Sequence, residues 1–229
     1  MTSPLDWKVL LRRAHTQKIF HGAMGFYLSL LTEVLDPWPP DGAVLEYGAV
    51  GPEFLRLAHL AFEFGKAVGV VLRSDGPFDN WSQTVGLPCR YESADLFKAP
   101  ANSFDVAFSQ EALGFVPDLK EHARLLLNWL KPGAVYYAAY GWHAGNPRVE
   151  LRAERLKGSG WTLHRHRLED VALAFHAAGF EVNLKRLPVL YGVVYNPNTA
   201  HLNGGLEALL EDVHEHKVLF RCRKVKEPS

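Results

Sequence analysis

The chain has 229 residues, 48% of them hydrophobic, which is enough to bury one full α/β core and fits one domain better than two independent ones. Its 25 basic and 25 acidic residues balance, so no net field draws nucleic acid or an anionic membrane. Cys89 and Cys222 are too few for a disulfide framework, no apolar run approaches the roughly 18 residues of a membrane span, and no basic segment followed by an apolar core opens the chain. The expectation is a soluble cytoplasmic protein.

In chain order, Leu5 to His15 reads as an amphipathic helix started by Ser3 and Pro4, and Phe20 to Leu35 as a second helix stopped by Asp36-Pro37-Trp38-Pro39-Pro40. Ala43 to Tyr47 is a near-continuous apolar strand, and its character suits burial on both faces. A glycine turn follows, then a helix from Pro52 or Glu53 to Phe64 with Gly65 as its left-handed cap. Ala67 to Leu72 is a second strand. Asp75-Gly76-Pro77 breaks the chain before a weak helix over Asp79 to Val85 and a short third strand, Cys89 to Glu92.

Phe104 to Phe108 is a fourth strand, and Leu119 to Leu130 is a helix with leucines spaced for one buried face. Lys131-Pro132-Gly133 is the stop before a fifth strand, Ala134 to Tyr140. Periodicity is lost from Gly141 to Arg167, where Trp142, His143, several glycines and several arginines suggest an insertion or lid with a helix from Pro147 to Leu156. Leu168 to Ala178 is a helix capped by Gly179. A sixth strand (Glu181 to Leu187), a short helix (Leu206 to His214) and a final strand (Lys217 to Arg223) complete the pattern. Residues 1–40 thus form a helical extension, 41–140 and 168–229 the core, and 141–167 the insertion. Alternating strands and helices imply a parallel sheet covered on both faces, with ligand sites at the carboxyl ends of its strands.

The unit at Ala43 to Ala61, strand, glycine turn and helix, is the kind that holds a nucleotide-like ligand at that edge. Two glycines at a strand-to-helix bend also serve a plain turn, so the unit alone is weak. The block Ser103-Phe104-Asp105-Val106-Ala107-Phe108-Ser109-Gln110-Glu111-Ala112-Leu113, then Phe115-Val116-Pro117-Asp118 and Leu127 to Gly133, is far more specific. It resembles the class I S-adenosylmethionine-dependent methyltransferases, as does Leu168 to Val182 with its "AGF" strand entry. The resemblance implies a Rossmann-like α/β fold with a seven-stranded, mostly parallel sheet, the last strand antiparallel beside the fifth.

It also implies a site. The family's acid and glycine motif falls on Glu46, Gly48, Val50 and Pro52, or, with Val50 taken as inserted, on Glu46-Tyr47-Gly48-Ala49 and Gly51-Pro52-Glu53-Phe54-Leu55. Glu53 then stands where the last glycine belongs. The carboxylate that usually follows strand two, accepting from both ribose hydroxyls, is replaced by Val71 and Leu72. Asp95, or Ser93 by register, matches the residue at the adenine amino group, and Ser109 and Gln110 match the cleft positions after strand four.

The reading is an S-adenosylmethionine-dependent methyltransferase of an unidentified small molecule, with S-adenosylmethionine as cofactor held by Glu46, Tyr47, Gly48, Ala49, Gly51, Val71, Leu72, Asp95, Ser109 and Gln110. The alternative is a catalytically inactive, methyltransferase-like binding protein with altered cofactor motifs. A nicotinamide-dependent enzyme is disfavoured because the Ser-Phe-Asp and Lys-Pro-Gly block has no place in one. His164 with His166 and His214 with His216 have a spacing metals use, but no acid or cysteine cluster completes either set, so no metal is expected. Trp142 and His143 fall at the cleft rim, and His21, Phe26 and Tyr27 on the amino-terminal helices. No nucleic acid or membrane partner is expected; the acceptor and the oligomeric state are open.

Overall fold

A computed structural model describes residues 6–17, 24–36, 39, 41–73, 78–81, 86–187, 189 and 204–225. Seven strands form one sheet in the order β3-β2-β1-β4-β5-β7-β6. They are β1 (Ala43–Tyr47), β2 (Lys66–Val71), β3 (Cys89–Ser93), β4 (Phe104–Gln110), β5 (Leu130–Tyr140), β6 (Phe180–Arg186) and β7 (Val218–Lys224). β1 to β5 pair in parallel, whereas β7 runs antiparallel between β5 and β6. This is the seven-stranded, mostly parallel sheet the resemblance implied.

Alternation along the strands divides the core into two layers. Val44, Phe108, Tyr137, Ala139 and Leu219 pack against α1 (Trp7–Thr16), α2 (Met24–Thr32) and α3 (Glu53–Phe62), through Leu10, Tyr27, Leu28, Phe54 and Leu57. Leu45, Ala107, Tyr136, Ala138 and Phe220 face the opposite way, onto Ala123 and Leu126 of α4 (Leu119–Trp129) and Val171 and Phe175 of α6 (Leu168–Ala178). Between these helices in sequence lies α5 (Val149–Leu156), and α7 (Leu206–Glu215) precedes β7.

The starts and stops follow local chemistry. Asp118 caps α4 by accepting from the backbone N–H groups of Lys120 and Glu121 at 2.9 and 3.0 Å, and Asp6 caps α1 by accepting from Lys8 at 2.9 Å. Gly179 closes α6 at φ +111°, as its position predicts. Gly65 does not cap α3. The left-handed residue is Glu63 at φ 48°, and Gly65 is needed instead because a Cβ there would lie 2.6 Å from the Asp41 carbonyl oxygen.

Lys131-Pro132-Gly133 lies inside β5 rather than before it. α4 has already ended at Trp129, Leu130 pairs with Phe104 and Val135 with Val106, so the intervening residues form an irregularity opposite Asp105. The helix expected over Asp79 to Val85 begins as a short 3-10 turn, Phe78–Asn80, and residues 82–85 lie outside the described set. Also outside it are Ser3 and Pro4, Phe20 and His21, Pro37, Trp38 and Pro40, and the break at 75–77. No helix among the described residues is long and apolar enough to cross a membrane.

At the amino edge of the sheet the charges satisfy one another. Asp36 accepts two hydrogen bonds from Arg221, at 2.8 and 2.6 Å, and is also bonded to Arg223 and to the Tyr137 hydroxyl. Burial opposes ionisation of Asp36, but the hydrogen bonds from Arg221 and Tyr137 hold its carboxyl below the usual range. Asp105 accepts from the Ala43 amide and from Lys131, both at 2.8 Å.

Candidate active site at the carboxyl edge

β1 ends at Tyr47 and the chain turns at Gly48, whose φ of +90° suits glycine alone; a Cβ there would also lie 2.3 Å from that of Ala112. The turn amides are not all presented to a ligand, because those of Gly48 and Ala49 both donate to the Val70 carbonyl, at 2.8 and 2.9 Å. α3 then opens without a side-chain cap. The Glu53 side chain folds back over Gly51, where its Oε2 lies 2.3 Å from the position of an added Cβ. The glutamate thus sets its own carboxylate at the positive end of the helix, where a glycine would leave room for a ligand's anion.

Beside this turn is a cavity of about 390 Å³, the size of a small-molecule site. Gly48, Ala49 and Val50 form its floor, Val71, Leu72 and Arg73 the β2 side, and Gln110, Ala112 and Phe115 the β4 side. Arg152, Leu156 and Trp161 close it from the 141–167 segment, and Trp81 from the segment before β3. Backbone hydrogen bonds lay that segment along the edge, from His164 to the Gly114 carbonyl at 2.7 Å and from Ala144 to that of His166 at 2.9 Å. Trp161 packs on Phe115 with ring centres 4.5 Å apart, and Arg73 lies over the Trp161 ring at 5.4 Å while donating to the Ser159 carbonyl. No carboxylate lines the cavity among the described residues.

Of the residues singled out from sequence, Gly48, Ala49, Val71, Leu72 and Gln110 line this cavity. Glu46 lies behind Gln110, which donates to its Oε1 at 3.3 Å; its Oε2 is buried without a partner among the described residues. Burial pushes Glu46 up to about 8, with the Gln110 hydrogen bond opposing and nearby Glu53 adding to the shift. Gly51 sits under Glu53 and does not line the cavity. Tyr47 and Ser109 belong to the other layer. Tyr47 packs on buried His122 at 4.5 Å, and Ser109 lies beside the Tyr136 hydroxyl. Asp95 is exposed in the turn after β3, and Ser93, the alternative, is buried and accepts from the Asp95 amide at 3.3 Å.

Next to the cavity, at the ends of β4 and β5, is a polar network. Glu111 is left-handed at φ 58°, which directs its carboxylate to the Gly141 amide at 2.8 Å and to Lys217. Lys217 lies over the rings of Trp142 and Phe26, at 5.1 and 5.5 Å. His143 is buried and bonded to the His216 carbonyl at 3.2 Å, and burial keeps its pKa below the ordinary value. His166 is bonded to the Val116 carbonyl at 2.8 Å and stacks on His164. Among the described residues no three His, Cys, Asp or Glu side chains gather as metal ligands.

Sequence reasoning missed Arg73, Trp81, Phe115, Arg152 and Trp161. Trp161 and Arg152 come from a segment without periodicity, and tryptophan and arginine in such a stretch were the only signal.

A second cavity, about 290 Å³, lies at the amino edge beside Asp36, Asp105, Lys131 and Arg223. Its charged groups are bonded to each other, so the carboxyl-edge cavity is the candidate site.

No family model and no curated protein matches the sequence. Solved structures do match. The chain is similar, at 16% identity and a TM-score of 0.75, to a chain from the Haloferax volcanii complex of the Trm112 methyltransferase activator with a protein assigned as a methyltransferase, covering 94% of this chain and 95% of that one. It is similar at 16% identity and a TM-score of 0.63 to the geranyl diphosphate C-methyltransferase of Streptomyces coelicolor, solved with S-adenosyl-L-homocysteine, over 96% and 83% of the two chains. A [4+2]-cyclase, SpnF, shares the fold at 19% identity and a TM-score of 0.59, over 90% and 83%. Together with the strand order and the antiparallel β7, these likenesses show that the chain has the Rossmann-like fold of the class I S-adenosylmethionine-dependent methyltransferases.

Proposed function

We propose that the protein is an S-adenosylmethionine-dependent methyltransferase of a small molecule. The observation that carries this reading is the cavity beside Gly48 and Ala49, where the ends of β2 and β4 bring Val71, Leu72 and Gln110 to the turn that follows β1. A fold hosts many functions, so the site has to bear the argument.

The residues present fit the cofactor in two of its three parts. Val71, Leu72, Phe115 and Trp161 give an adenine apolar and aromatic walls. Gln110 offers a neutral polar group at the other end, held from behind by the buried carboxyl of Glu46, which accepts from it at 3.3 Å and which burial keeps protonated near neutral pH. The ribose has no acid at the end of β2, which predicts modest affinity. When bound, the sulfonium supplies an activated methyl group, so this chain's residues need only orient the acceptor and exclude water. Asp95, Tyr47, Gly51 and Ser109 lie outside the cavity lining and take no part in this reading.

A second reading has its own observation. Arg73 and Arg152 line the cavity and no described carboxylate does, a poor electrostatic match to a cationic cofactor and a fair one to an anionic ligand of a non-catalytic protein. Calorimetric titration with S-adenosylmethionine and S-adenosylhomocysteine separates the two. Dissociation constants below a millimolar support the enzyme; no heat from either ligand at that concentration removes it.

A further inference from the structure

α5 and the residue before it bring three arginines, Arg148, Arg152 and Arg155, together beside Trp142, and of these Arg152 also lines the cavity. Arg148 pairs with Glu211 at 2.7 Å. At Arg155, burial and the like charge of Arg152 oppose the guanidinium and Asp212 favours it; the Asp212 carboxylate also accepts from Asn146 at 2.6 Å. The nearby Glu111 is taken by Lys217. Arg152 is left over. Its guanidinium lies 5.2 Å over the Trp142 ring, its Nε is buried without a hydrogen-bond partner, and no carboxylate among the described residues pairs with it.

A half-buried guanidinium pays for lost hydration unless an anion meets it, and its planar fork suits a carboxylate or a phosphate. Arg152 lines the cavity and lies over Trp142, two residues past the end of β5, whereas Arg73, after β2, lies over Trp161. An anion bound at Arg152 has Leu156 as an apolar neighbour.

We propose that Arg152 is the anchor for a carboxylate or phosphate group on the methyl acceptor, so that the substrate is an anionic small molecule with an apolar body. This rests on the methyltransferase reading above.

The test uses matched probes on the full-length protein, free and saturated with S-adenosylhomocysteine: phenyl phosphate, benzoate and neutral benzyl alcohol, titrated into wild type, Arg152→Gln and Arg152→Lys. The expected result is that at least one anionic probe binds tenfold or more tightly than benzyl alcohol. Arg152→Gln should abolish that preference and Arg152→Lys keep part of it, with any loss of S-adenosylhomocysteine affinity below tenfold in both. Whether phenyl phosphate or benzoate gains more tells phosphate from carboxylate recognition.

Equal binding of charged and neutral probes, or a preference that survives Arg152→Gln, overturns the proposal. So does a tenfold loss of S-adenosylhomocysteine affinity in Arg152→Gln, since the arginine would then hold the cofactor's own carboxylate. If S-adenosylhomocysteine does not bind while the Arg152-dependent preference is present, the cofactor reading fails and the anion site stands.

Discussion

The two edges of the sheet are built on opposite terms. At the amino edge the acids beside the cavity there are answered: Asp36 by Arg221, Arg223 and Tyr137, and Asp105 by Lys131 and the Ala43 amide. At the carboxyl edge Glu46 Oε2, Arg148 Nη1 and Arg152 Nε are buried without partners among the described residues. Charges bonded to each other hold elements in place and leave little to offer a ligand. Buried polar atoms left without partners cost stability and are ready for one. The first edge therefore serves the fold, and the second is where binding is expected.

Removing Asp36 breaks the comparison most severely. Asp36→Ala strands two arginines and the Tyr137 hydroxyl, and because Arg223 is more than a third exposed, the loss should be about 2–3 kcal/mol rather than the ~3–5 of a fully buried pair. Thermal melting should fall by roughly 5–10 °C, with S-adenosylhomocysteine affinity unchanged. A large affinity loss would show that the edges are not separable.

Val71→Asp sharpens the comparison by restoring an acid at the end of β2. It should tighten S-adenosylhomocysteine binding by about tenfold, the worth of one charged hydrogen bond of roughly 1.5 kcal/mol, and lower the stability of the free protein. No gain on titration would mean that the ribose is not at Val71.

The Glu46 effect depends on pH. The folded protein keeps this proton between the ordinary carboxyl value of 4.5 and about 8, while the unfolded chain releases it, so this group lowers stability progressively as pH rises through that window. Glu46→Gln should therefore melt above wild type at pH 8 and converge with it near pH 4.5; parallel melting curves at both pH values would contradict the shift. The smallest effect belongs to Glu53→Gln, which removes the acid at the start of α3 for about 0.3–1 kcal/mol and should improve S-adenosylmethionine binding two- to threefold by clearing its carboxylate from Gly51. Unchanged or weaker binding on titration would show that Glu53 does not oppose the ligand.

The sequence carried the two edges unequally. The sheet was legible because its strands are apolar runs bounded by glycine, proline and capping acids, each decided within a few residues, as at Asp118 and Gly179. Gly48, Ala49, Val71, Leu72 and Gln110 were legible because the family's motif positions fall at the ends of strands that the apolar runs locate. Arg73, Trp161 and Arg152 were not, since their positions depend on contacts such as that of His164 with Gly114, 50 residues away. Ser109 and Gln110 show the limit of motif reading. They adjoin in sequence, but a strand sends one into the α4 layer and the other to the cavity, and only the pairing register fixes which.

Amide hydrogen exchange of the wild-type protein, with and without saturating S-adenosylhomocysteine, tests the division of the edges most directly. The account predicts slowed exchange over residues 48–54, 71–73, 110–115 and 152–161, and no change over residues 34–36, 131–135 and 221–223. Protection centred on the amino edge, or none anywhere, would contradict it.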